Sequence, residues 1–451
     1  MTGKNMKRGL SRRAVLAASV GTFAAAAGCQ APSSDSGNGD GGGNEDGSGE
    51  TGGNPDLPEP AETVEDPAEQ TVIEGVRQFR RSLENWGYFP EQTVPDAVDI
   101  EWRISEHNTD DHSAPKASAV PLPDGGVVFP GDTGYLTALS PDGEVRWQQE
   151  TDMDGRGIHG TPVVTEGTVY IGAYDGILYA FDAQSGEKQW ENELGGSIGG
   201  SPAYDGDRIY VGVEYPDPEG STFAVDPDSG DVLWEDSESR PTDHPHSTPA
   251  IDPVTGTMTL GSNDGTLYAW EYPELEFKWS FETDPQNDTD GEIKAPITAY
   301  DGAAFFGSWD EHIYRVDLES GTEDWSFETG GLSMVGPGVD PTRDEIYAGS
   351  HDGNLYALDA QTGEERWRFG TDRPLTGCPT VCADRIVFGS KDQTLYAVET
   401  ETAEEVWHVD TDGVVTSTPR VHDGAIYFAE RAPDPENGEI DGGAYKLVAS
   451  E

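Results

Sequence analysis

Cysteine is nearly missing from this chain: three in 451 residues, which excludes a disulfide framework. Cys378 and Cys382 are four apart on a predicted strand, where their Cα atoms would lie about 13 Å apart, beyond the reach of a bridge. They read as small buried residues. Lysine is scarce too, with eight residues beside 19 arginines. No stretch gathers these cations into the basic stripe that neutralises phosphates, so nucleic acid is excluded as a partner. Apolar runs long enough to span a membrane are also wanting. The one candidate, near the N-terminus, suits the apolar region of an export signal better than a span.

Acid is abundant. The 86 Asp and Glu against 27 Lys and Arg give a formal charge of −59. Self-repulsion on this scale destabilises a compact state unless concentrated salt screens it. The acid is spread along the whole chain, which reads as the solvated surface of a halophilic archaeon and not as a site for a basic partner. Glycine (57) and proline (31) are plentiful while hydrophobic residues make up 34%, a mix that suits an all-β protein rich in tight turns.

The N-terminus carries an address. Ser11-Arg12-Arg13-Ala14-Val15-Leu16 resembles a twin-arginine export signal, and Ala26-Ala27-Gly28-Cys29 resembles a lipobox whose cysteine is lipidated. Residues 1–28 are therefore expected to be a lipoprotein signal peptide, with Cys29 as the lipidated residue. Export of this kind places the protein on the outer face of the cytoplasmic membrane, held there by its lipid anchor alone. Residues 29–67 are mostly Gly, Ser, Asp, Glu, Asn and Pro. They bury too little apolar surface to fold and form a tether of about 33 Å root-mean-square span. Residues 68–98 are a lead-in segment, within which Val72, Val76, Phe79 and Leu83 share one face of a predicted short helix over 69–84. That stripe is expected to pack on the domain that follows.

Residues 99–451 repeat. Tryptophans at 102, 147, 190, 234, 279, 325, 367 and 407 stand 40–46 residues apart. Prolines after a small residue mark the same units at 115, 162, 202, 249, 296, 337, 379 and 419. Four short strands, here called A to D, fit between each Pro and the next Trp, and an Asp-Gly pair suited to a tight hairpin often joins B to C. A period of this length with four strands per unit means a β-propeller. Eight Pro-led units predict eight four-stranded antiparallel blades, with seven as the alternative. The last unit lacks a closing Trp, so the N-terminal strand containing Trp102 is expected to complete it and close the ring.

Ala357–Trp367, ALDAQTGEERW, with Ala180–Trp190 and Ala224–Trp234, resembles the tryptophan-docking motif of the pyrroloquinoline quinone (PQQ) repeat family. The resemblance implies a propeller in which each Trp packs between blades. It leaves two function classes open. Quinoprotein dehydrogenases bind PQQ and calcium, whereas relatives such as the outer-membrane-protein assembly lipoprotein use the propeller as a non-catalytic platform. This chain has no adjacent cysteine pair and mostly short B–C turns, so the platform is the expected function and the dehydrogenase the alternative. The partner is expected to be another protein at the cell surface, and the propeller itself a monomer.

D–A and B–C loops emerge on one face of a propeller. His112, His159 and His246 each stand three residues before their unit's Pro, at the inner end of a D–A loop. They are candidate metal ligands, set against a generic polar lining of the channel mouth. Two long B–C loops, Glu214–Thr222 and Glu430–Gly443, are rich in oxygen ligands for calcium but lack a regular calcium-loop spacing. Asn287 heads a glycosylation sequon. No nucleophile–base arrangement stands out, and no catalytic residue is assigned.

Overall fold

The computed structural model describes residues 68–450 except 106, 109–116, 152–156, 217–218, 237, 239, 284–290 and 433–441. The signal, the tether, Cys29, His112 and Asn287 lie outside the described residues. The chain forms an eight-bladed propeller, not a seven-bladed one, of antiparallel sheets in which A, B, C and D pair in order. Blade two shows the pattern: Val163–Val164, Thr168–Gly172, Ile177–Asp182 and Lys188–Glu193. Its hairpin turn is set by Asp175, whose carboxylate accepts the Ile177 N–H at 3.0 Å and the Tyr179 hydroxyl at 2.7 Å. Gly176 follows with φ +77°, a conformation that glycine adopts without strain.

The repeat motif has a packing explanation. Its first residue, an alanine in most blades, sits directly across the C–D pair from the tryptophan, as Ala180 from Trp190 and Ala357 from Trp367. A register shift follows immediately in each case, a local extra residue that bends the outer strand. The indole then docks on the next blade. Trp147 Nε1 donates to Ala183 O at 3.1 Å and Trp190 to Pro227 O at 3.0 Å. Trp279, Trp325 and Trp367 do the same to Leu318, Ala360 and Thr400. The glycine of the receiving turn lies flat on the ring: a Cβ at Gly186 would stand 2.7 Å from Trp147. Trp234 faces the blade whose turn, Tyr272-Pro273-Glu274, has lost the Ser/Thr-Gly pair. It instead meets Trp270 edge-on at 6.2 Å.

The ring closes through the N-terminal strand. Val98–Ser105 pairs antiparallel with Gly443–Ala449, with Trp102 opposite Lys446, and so supplies strand D of the last blade. Trp102 Nε1 donates to Pro141 O of the first blade at 3.0 Å. Trp407 finds Pro95 O at 2.8 Å, because the eighth blade's C–D connection is replaced by the two ends of the domain.

The expected helix over 69–84 is absent; the described structure contains no helix. Residues 70–96 form an irregular strap across the centre of the ring. The reason lies in the innermost strands, whose free edges carry unpaired N–H groups. Strap carbonyls of Arg77, Leu83, Glu84, Trp86 and Gly87 accept from Val164, Ile251, Ala299, Val339 and Val381, in blades two, four, five, six and seven. The Gln78 and Gln92 side chains serve Tyr204 and Asp423 in blades three and eight. Carbonyls turned outward to five blades cannot also close helical turns, and Arg80, Arg81 and Asn85 have positive φ, which breaks a helix. Of the expected apolar stripe, Phe79 and Leu83 are buried while Val72 is exposed.

Candidate functional site

The D–A and B–C loops of blades two to seven enclose a cup of about 470 Å³ at one mouth of the central channel. Phe79 of the strap lines its inner end. The strap is fixed there by Arg80, whose guanidinium donates to Thr298 Oγ1, Gly336 O, Trp86 O and Pro337 O at 2.7–3.2 Å. Burial holds the Arg80 pKa at about 10, below the arginine range.

Two of the three sequence candidates meet in this cup. His159, from the loop entering blade two, and His246, from the loop entering blade four, have ring centroids 6.3 Å apart. The blades are not neighbours, yet the narrowing of the channel brings their inner loops together. Tyr174, on the B–C turn of blade two, bridges them. Its ring lies 4.4 Å from that of His159, and its hydroxyl is 2.8 Å from His246 Nε2. His246 Nδ1 is 2.7 Å from Glu214 Oε1. Nδ1 donates to the carboxylate, and Nε2 and the Tyr174 hydroxyl share the second hydrogen bond.

Glu214 is buried. Burial alone would raise its pKa, but the His246 hydrogen bond and the charges of His246, His244 and Lys294 outweigh this and hold it below the ordinary glutamate value. The predicted loop Glu214–Thr222 is shorter than expected: Glu214 ends the strand Ile209–Glu214 and Gly220 begins the next, leaving 215–219 as the connection, and Glu214 lines the cup from the strand end. Glu430, which opens the other long loop, is spent on Arg103 at 2.6 Å and on Gly413 N–H at 2.8 Å. Sequence reasoning missed His244, Lys294, Trp309, His351 and Lys391, which also line the cup. The available signal was positional. Tyr174, Asn263, Trp309, His351 and Lys391 occupy equivalent places at the start of the B–C turns of blades two and four to seven, and reading that column across the repeats would have found Trp309, His351 and Lys391, while His244 and Lys294 lie on D–A loops outside it.

The profile described as outer membrane protein assembly factor BamB matches residues 96–327, 224–374 and 351–440, most of the chain. The chain belongs to the BamB family of PQQ-repeat propellers. The assembly factor BamB of Salmonella typhimurium is 30% identical over 201 residues, 43% of this chain and 47% of that protein. The matched part thus spans about half the length of this relative. The crystal structure of BamB from Moraxella catarrhalis is similar with a TM-score of 0.59 and 19% identity, covering 78% of this chain and all of that one. A europium-containing methanol dehydrogenase superposes with a TM-score of 0.69 and 12% identity, covering 83% and 98%. At these identities the two structures bear on the fold alone.

The cup's own chemistry tests the calcium-dependent quinone implied for the dehydrogenase class. Calcium takes six to eight oxygen ligands. The one carboxylate lining the cup, Glu214, is engaged by His246. Among the described residues no three His, Cys, Asp or Glu side chains are grouped to hold a metal ion. The Trp309 face carries the Lys294 ammonium at 3.8 Å from the ring centroid. These residues do not fit a calcium–quinone pair.

Proposed function

We propose that this protein is a non-catalytic binding platform, exported and lipid-anchored, that presents the D–A/B–C face of its propeller to a protein partner at the cell surface. The observation that carries the reading is the family match over residues 96–440, whose curated relatives are named as outer-membrane-protein assembly factors. The composition of the cup supports it over the dehydrogenase, because the donor set does not suit calcium. Loops on a rigid scaffold are the usual seat of recognition, and blade three carries the connection 215–219 on this face. The lipobox at Cys29 and Arg12-Arg13 support retention at the membrane after export.

The test is affinity capture of the full chain in concentrated salt, with mass spectrometry of proteins and small molecules. Platform function predicts a reproducible envelope protein that is lost when residues 215–219 are replaced by a Gly-Ser linker. Recovery of bound PQQ, with calcium-dependent dye-linked alcohol oxidation, would overturn it. The anchor is tested separately. Cys29→Ser is expected to move the protein from the membrane fraction to the medium, and Arg12→Lys with Arg13→Lys to hold it inside the cell. Retention of the Cys29→Ser protein in membranes would exclude the lipobox.

A further inference from the structure

The charge of the cup runs against that of the molecule. The chain has more than three acidic residues for each basic one, yet four of its nine histidines and two of its eight lysines line this one cavity, with Glu214 as the single acidic residue. Glu214 is engaged by His246 at 2.7 Å and lies 3.9 Å from His244 Nδ1, and Lys294 is paired with Glu292, which leaves Lys391 as the lining lysine in no ion pair among the described residues. Lys391 stands out. Lys391 is half-buried, and burial, together with the like charge of Arg431, holds its ammonium below the ordinary lysine value. A cation partly withdrawn from water favours an added counter-charge.

A second, independent observation points the same way. Among the lining residues, the Thr376 hydroxyl, Trp309 Nε1, His244 Nε2 and Asn263 Oδ1 are buried polar atoms without a hydrogen-bond partner. Thr376 is fully buried. Hydroxyl and indole N–H groups are donors, an imidazole nitrogen can donate, and an amide can turn its NH₂ end inward. Native proteins leave few buried polar groups unpaired, and those that remain need an explanation. Here the unmet need is for acceptor oxygens beside a positive charge. The cup's volume lies in the range of small-molecule sites.

We propose that the cup is a binding site for a small molecule bearing an oxyanion, a carboxylate or a phosphate. Lys391 supplies the counter-charge. Thr376, Trp309 and His244 supply hydrogen bonds to the anion's oxygens, and Phe79 forms the apolar floor under the rest of the ligand. The site is distinct from the protein-binding role of the loops around it, and it requires no metal.

The experiment is calorimetric titration of the full chain with sodium phosphate and, separately, sodium succinate, at constant ionic strength made up with NaCl. Saturable binding of at least one anion is expected with a dissociation constant below about 1 mM. Phosphate alone identifies a phosphate ester as the ligand class, succinate alone an organic acid, and both together a site that reads only the oxyanion. Lys391→Gln should weaken binding about tenfold or more, and Thr376→Val several-fold. The second variant keeps side-chain shape should the first fail to fold. Lys188→Gln, on an outer strand, should change nothing. Absence of saturable heat with both anions up to about 10 mM would refute the site. So would undiminished binding by Lys391→Gln and Thr376→Val, or equal weakening by Lys188→Gln.

Discussion

Single side chains hold the centre of this ring. Arg80 ties the strap to blades five and six through Thr298, Gly336 and Pro337. Its removal deletes four hydrogen bonds from a charged donor, each worth about 1.5–3 kcal/mol, and leaves Gly336 O without its partner, while Trp86 O keeps the Val339 N–H and Pro337 O the Thr298 hydroxyl. Arg80→Ala is therefore expected to lose at least about 3 kcal/mol in urea unfolding, while Glu74→Ala, on an exposed part of the same strap, leaves the midpoint in place. His107 makes a different prediction. It is buried, its Nε2 lies 3.2 Å from Pro130 O, and burial holds its pKa at about 4 against 6.5 unfolded. In that window the unfolded chain binds the proton and the folded one does not, so stability falls as pH drops from about 6.5 toward about 4. His107→Gln should flatten the pH dependence of the melting temperature between about pH 7 and 5. Equal slopes in the two proteins would show that other groups govern it. His159 and His246 were legible in the sequence by their place before the blade prolines, but their meeting was not. Contact across a channel depends on how far each loop leans inward, which spacing along a strand does not encode.

At the scale of elements, the blades could be read in advance because every local signal recurs with the same phase. The Asp-Gly hairpins, the Ala–Trp cross-strand pair and the Ser/Thr-Gly turn that receives the indole all repeat, and a fault in one copy is outvoted by the rest. The strap could not be read this way. Its apolar spacing of 72, 76, 79 and 83 suits a helix, but it faces a ring of unpaired strand edges, and the N–H groups of those edges outcompete helical bonds for its carbonyls. Ring closure is the element whose energetics can be isolated. Trp102 sits in the strand that joins the two ends of the domain, and Gly143 of the first blade lies on its ring. Because this indole is half-buried, Trp102→Ala should cost about 2–3 kcal/mol, somewhat less than the about 3–5 for a fully buried aromatic. Deletion of residues 30–60 should leave the thermal melt unchanged. A Trp102→Ala melt that overlays the parent would mean that the pairing of Val98–Ser105 with Gly443–Ala449 closes the ring without the dock.

The whole molecule carries −59 on a surface that folding brings together. Bringing like charges into a compact body opposes folding in proportion to how far each charge is felt. That reach is the Debye length, about 3 Å at 1 M salt and about 10 Å at 0.1 M. At the shorter length each carboxylate is hidden from all but its immediate neighbours. At the longer one, charges on adjacent blades repel. The melting temperature is therefore expected to rise steeply between 0.1 M and 1 M NaCl, on the order of the Debye scale just given. Calcium offers a rival account, since an ion that binds only the folded state also stabilises. The two separate by concentration. Screening needs ionic strength and is indifferent to the cation at equal strength, whereas a bound ion saturates at micromolar to millimolar levels and is reversed by a chelator. A melt series in NaCl beside one in dilute CaCl₂, each with a chelator control, reads the difference. Recovery of full stability by dilute calcium alone, abolished by chelator, would refute screening and direct attention to Glu430–Gly443, whose residues 433–441 lie outside the described structure. A rise that tracks ionic strength and ignores the chelator identifies the acid as a solvent-facing adaptation of the entire surface.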